Sequence, residues 1–198
     1  DTSHPPVSRN LYKSLSGDTL LFEEKRPDLG LTFRYRWSTS AEYGFVRTST
    51  LINNDPAAAV SVEMLDGLRN IMPANVPLGL QQSSSTLAEA YRRNEVDPAT
   101  AMAIYSLEAR ISDRAEPAES LHANTVWSTG LPGSRVLLSS DQISRFRDGL
   151  ELEAETLTKG RRAHYLLNAS IELDANAARS WFIVGDVHQT QLQVQRRR

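Results

Sequence analysis

Large apolar and polar residues alternate along this chain with a period of two. The run Leu31-Thr32-Phe33-Arg34-Tyr35-Arg36-Trp37 shows it most clearly. Successive side chains of a strand point to opposite faces. Leu31, Phe33, Tyr35 and Trp37 therefore share one face, and Thr32, Arg34 and Arg36 the other. Such a pattern suits an antiparallel sheet with one dry face and one wet one.

The same reasoning predicts strands over Thr19–Glu24, Phe45–Asn53, Val60–Leu65, Ala123–Thr129, Arg135–Leu138, Leu150–Thr158, Arg162–Leu173 and Ser180–Val187. The turn signal Asn53-Asn54-Asp55-Pro56 predicts a hairpin between Phe45–Asn53 and Val60–Leu65. The loop Asp174–Arg179 predicts another between the last two strands.

Two stretches read as helix. Ser85–Glu95 is rich in Ala, Leu, Glu and Arg, and Thr86 and Glu89 have capping-box spacing. Asp141–Arg147 reads as one or two turns capped by Asp141. Ala99–Ile111 fits either period; it is read as strand, because its flanks are β and Pro117 stops continuation. The Pro-, Gly-, Gln- and Ser-rich stretch Met72–Thr86 is longer than an ordinary connection, which marks it as a functional loop or a subdomain boundary. The fold class expected is all-β and mainly antiparallel: a large two-sheet, supersandwich-like β-sandwich with one or two short helices.

Composition narrows the function. The 198 residues suit one large β-sandwich domain. Hydrophobic residues make up 40% and charged residues 23%, which speaks against disorder and against a coiled coil. The net charge of −2 lacks the basic field that nucleic-acid binding needs. With no cysteine, disulfides, thiolate zinc sites and cysteine nucleophiles are excluded. No apolar run approaches a membrane span, so neither nucleic acid nor membrane is an expected partner. The compartment is left open, with a cytoplasmic setting favoured. Asp1 stands where an initiator Met would, so the chain is expected to be a piece of a larger multidomain protein.

The signatures of nucleotide binding, zinc proteases and serine hydrolases are absent. His4, His122, His164 and His188 show no metal-ligand spacing, so no cofactor or metal is expected. The segment Asp113-Arg114-Ala115-Glu116-Pro117-Ala118-Glu119-Ser120, with His122 beyond it, gathers carboxylates, an arginine and an imidazole. A glycosidase needs two carboxylates flanking the sugar oxygen. Adjacent carboxylates around Pro117 are poorly placed for that. An ion-pair network fixing a loop is the favoured reading, ligand contact by Arg114, Glu116 and Glu119 the second, and catalysis the last. Flat aromatic faces stack on sugar rings, and Trp127 and Tyr43 are the best candidates for this. Trp37 and Trp181 are expected in the core.

Four blocks carry a resemblance: Arg34–Ser40 with Tyr43–Arg47, Val62–Pro73, Asp113–Leu121 with Ala123–Trp127, and Trp181–Gln189. Together they resemble the β-sandwich region of large bacterial proteins similar to cellobiose phosphorylase. The resemblance implies a parent that breaks glycosidic bonds by phosphorolysis or hydrolysis, with the general acid in a helical barrel. This chain has no such barrel, so no catalytic residue carries over. In such proteins the sandwich packs on the catalytic domain, helps form a homodimer, or lends a loop to the sugar site. The expected function is accordingly a non-catalytic accessory domain. The alternatives are an independent carbohydrate-binding module and a self-contained sandwich-fold lyase or hydrolase using Glu116, Glu119 or His122. Met72–Thr86 and Asp113–Ser120 are the loops expected to meet sugar.

Overall fold

The computed structural model describes residues 7–111 and 119–197. They form a mainly antiparallel β-sandwich of two sheets. The twelve strands in chain order are β1 (Ser8–Lys13), β2 (Leu20–Arg26), β3 (Leu31–Ser40), β4 (Gly44–Asn53), β5 (Val60–Ile71), β6 (Arg92–Val96), β7 (Ala103–Leu107), β8 (His122–Thr129), β9 (Arg135–Leu137), β10 (Leu157–Lys159), β11 (Ala163–Leu173) and β12 (Ala178–Thr190). The nine-stranded sheet runs β1-β2-β3-β4-β12-β8-β7-β6-β10, and the three-stranded sheet β5-β11-β9. Four short helices are seen among the described residues: α1 (Leu78–Ser83), α2 (Ser85–Ala90), α3 (Asp141–Arg147) and α4 (Gln191–Arg197). None is long and apolar enough to cross a membrane.

Two compact units divide the chain, and β5, β8, β11 and β12 each contribute to both. The first holds the chain up to Met64, Ser128–Gly133 and Ala169–Val184. Its apolar face is the one that the β3 alternation predicts. Phe22 stacks on Tyr35 at 4.7 Å, and Phe33 lies 6.0 Å from Trp181, which is fully buried. The Arg47 guanidinium sits 4.4 Å over the Tyr35 ring, a cation–π contact that suits a buried arginine.

The opposite face of β2 and β3 is drier than alternation implies. Glu23 and Thr32 are both buried there. Thr32 accepts a hydrogen bond from Asn54, and Glu23 accepts from Arg34 at 2.6 Å and Asn10 at 3.0 Å, with Lys25 at 3.3 Å. Burial alone would raise the Glu23 pKa. Those hydrogen bonds and the Arg34 charge outweigh it and hold the carboxyl down to about 2, against an ordinary 4.5.

Neither predicted hairpin forms. Strand β4 lies in the large sheet and β5 in the small one, and β11 and β12 are divided the same way. The turn signal at Asn53 is real but does different work. Its carboxamide donates to the Ala58 and Asp174 carbonyls, while Asp55 accepts from the Ala57 and Ala58 amides. These bonds tie the two sheet-changing loops together within this unit.

The second unit holds the described parts of Leu65–Trp127, Ser134–Asn168 and the chain from Gly185 onward. Strand β5 runs on through Asp66-Gly67 to Ile71, beyond the Leu65 end expected from the sequence. A Cβ on Gly67 would lie 2.0 Å from the Tyr165 carbonyl oxygen, so β5 and β11 approach at a distance only glycine allows. Tyr105 and Tyr165 are buried beside it and donate to the His164 and Ala101 carbonyls.

Helix α2 stops at Ala90, and Arg92–Val96 pairs between β7 and β10. Ladder pairing overrides helix propensity, burying Arg92 and Asn94 on one side of β6. Ser140, not Asp141, holds the N-cap position of helix α3 and makes no side-chain capping bond, while the Asp141 carboxylate pairs with Arg161 at 2.7 Å. Of the strand expected over Leu150–Thr158, only its end enters β10. Glu155 instead turns inward and accepts from the Leu138 and Ser139 amides.

Two outcomes follow for stability. Gly67→Ala is expected to cost about 3 kcal/mol or more, because backbone atoms must move apart; denaturant unfolding reads this directly. Glu23, with its folded pKa depressed, stabilises above about pH 4.5, and this is lost as pH falls toward about 2. The contribution is on the order of 1–3 kcal/mol. Unfolding curves across that window should show it, and Glu23→Gln should flatten the dependence.

Candidate functional site: a groove at the end of the second unit

The described ends of both loops singled out in the sequence meet in one groove of about 820 Å³. Asn75, Val76, Pro77 and Leu80 come from the first loop, and Glu119, Ser120 and Leu121 from the second. Leu107 ends β7, Arg110 and Ile111 follow it, and His122 and His188 come from β8 and β12.

The position of His188 is set by its backbone. Its φ is +56°, a left-handed conformation that costs a non-glycine residue about 1 kcal/mol or more. Asn124 holds it there. The Asn124 Oδ1 accepts the His188 amide at 2.8 Å, and its Nδ2 donates to the Met72 carbonyl at 2.7 Å. One carboxamide on β8 thus fastens both β12 and the chain leaving β5. The His188 imidazole then stacks on His122 at 4.1 Å and bonds Asn75 Oδ1 through Nε2 at 3.1 Å. Asn75 is itself left-handed, with φ +62°, a conformation asparagine tolerates better than most residues.

The lining brings a carboxylate, a guanidinium, two imidazoles and a carboxamide together with apolar side chains. Such a surface suits a neutral ligand rich in hydroxyls, each of which donates and accepts. Among the described lining residues Glu119 is the one carboxylate, so a paired acid and base for glycoside cleavage is not assembled from them. No group of three metal-ligating side chains occurs among the described residues.

No protein-family model matches the chain, and no curated protein matches it.

The candidate residues are therefore placed as follows. Glu119 is exposed and lines the groove with His122. Arg114 and Glu116 lie outside the described residues. Trp127 is half-buried and packs against the core of Met102, Ile104, Ala123 and Val194, which leaves it little free face for a sugar. Tyr43 belongs to the first unit, in the β3–β4 hairpin loop, where Ser40 accepts the amides of Glu42 and Tyr43; it is 43% exposed. Asn75, Asn124, Arg110 and His188 escaped the sequence reading as site residues. Nothing in a lone asparagine or histidine announces a left-handed backbone.

Asn124→Ala removes two hydrogen bonds and leaves the His188 amide and Met72 carbonyl without their partner. A loss of about 2–3 kcal/mol is expected in denaturant unfolding. The same variant should move the His122 and His188 ring resonances while leaving those of buried His164 in place.

Proposed function

We propose that the chain is a non-catalytic β-sandwich portion of a carbohydrate-active protein, and that its groove forms one wall of a sugar cleft. The observation that carries this reading is the convergence of residues from Asn75–Leu80 and Glu119–His122 on one groove with a mixed polar and apolar lining. The blocks resembling the sandwich region of cellobiose phosphorylase-like proteins support it from the sequence side. On this reading the catalytic groups belong to another domain, and the sandwich contributes shape and hydrogen bonds. A wall is half a site, so its own affinity is weak.

An independent binding module would present a platform of exposed aromatics. The packing of Trp127 against the core speaks against that.

Calorimetry on the chain with cellobiose, other β-glucosides and a polysaccharide set tests the proposal. Saturable binding is expected with a Kd on the order of 1–10 mM. Glu119→Ala and Arg110→Ala should each weaken it several-fold, and Tyr43→Ala should leave it unchanged. No glycoside should be cleaved, with or without phosphate. Micromolar binding lost in Tyr43→Ala would overturn the scaffold reading in favour of the module. Turnover by the chain would overturn it in favour of an enzyme, and no binding to any glycan would remove the sugar wall.

A further inference from the structure

A second concavity of the same unit, of about 190 Å³, is lined by Asn70, Gln81, Ser85, Glu89, Arg92 and Arg162 among others. It is lined from the end of β5, helices α1 and α2, strand β6 and the connection between β10 and β11. Its unusual member is Arg92, which is only 7% exposed. Guanidinium groups at this depth are ordinarily matched by a carboxylate or phosphate in fork geometry. Arg92 has no such match among the described residues. Its Nε is buried with no hydrogen bond, and its Nη2 reaches Met72 Sδ at 3.1 Å, a weak acceptor.

The nearby charges sharpen the point. Glu89 attracts Arg92 through space, but its own hydrogen bond goes to Arg162, at a long 3.4 Å. Arg162 adds a second cation to the rim and acts against the Arg92 charge. The neighbouring buried His164 feels Arg69, Arg92 and Arg162 together, with Glu155 opposing, and its Nδ1 also has no hydrogen bond. The Glu155 carboxylate is already engaged by Leu138 and Ser139. Burial pushes Arg92 below the ordinary arginine value, as expected of a charge lacking its counterion. Asn70, Gln81 and Ser85 bring neutral donors to the same space.

We infer that the pocket around Arg92 and Arg162 is a binding site for a small oxyanion, either free or carried on a larger ligand. The anion takes a charge-assisted contact from the Arg92 guanidinium, a second from Arg162 and hydrogen bonds from the amide and hydroxyl groups around them. It competes with Glu89 for Arg162, and the long Glu89–Arg162 bond is the one it displaces. This site is independent of the groove and of the carbohydrate reading.

Thermal unfolding of the chain in sodium phosphate, sulfate or acetate, each matched in ionic strength with sodium chloride, tests this. A ligand bound by the folded state alone raises Tm with its concentration. A saturable rise over chloride is expected with at least one of the three. Phosphate or sulfate alone would assign a tetrahedral anion, and acetate alone a planar carboxylate. Arg92→Met should abolish the rise. Arg162→Gln, at an exposed position, should weaken the apparent affinity about tenfold and covers the case in which the Arg92 variant does not fold. Tm values that depend on ionic strength alone, or a rise that survives Arg162→Gln undiminished, would overturn the site.

Discussion

The second unit depends on one close approach. Gly67 of β5 lies against the Tyr165 carbonyl of β11 with no room for a Cβ. That contact allows β5 to run on to Ile71, next to the Met72 carbonyl that Asn124 binds. Asn124 in turn fixes the left-handed His188, and His188 stacks on His122 and reaches Asn75. The groove is therefore the far end of a chain of short-range constraints that begins at a glycine with no chemistry of its own.

Polar burial is the second theme. Glu23, Asn53, Asn94, Asn124 and Glu155 each do structural work with a side chain that composition alone would assign to the surface. Glu23 is held by Arg34, Asn10 and Lys25, Asn53 ties two loops, and Glu155 closes the amides of Leu138 and Ser139. A buried polar group is stable only when matched. Arg92 Nε, Asn94 Oδ1 and His164 Nδ1 are buried without a hydrogen bond, and of these three side chains Arg92 is the cation.

Much of the strand content was legible, because alternation is a local property. The face shared by Phe33, Tyr35 and Trp37 and the bounds of Asp141–Arg147 came directly from the residue pattern. Pairing was not legible. Asn53-Asn54-Asp55-Pro56 signals a reversal of direction, yet nothing local states whether the chain returns to the same sheet or crosses to the other. Arg92–Glu95 read as helix because its residues favour helix, and only pairing with β7 and β10 makes it a strand. The loops Met72–Thr86 and Asp113–Ser120 were singled out by length and charge, and their described ends do converge. The residues that shape the groove, Asn124 and His188, depend on backbone angles that leave no mark in sequence. Of the aromatic candidates, Tyr43 is exposed in its hairpin loop, while the apolar body of Trp127 found a core to fill.

The most direct measurement of the central claim is the set of histidine ring resonances during titration of the chain with cellobiose or a longer β-glucoside. His122 and His188 line the groove, while His164 is buried away from its lining. The account predicts that the His122 and His188 signals shift together and saturate, with His164 unmoved. Saturable binding that leaves His122 and His188 unperturbed would place the sugar elsewhere on the chain and contradict the groove as its site.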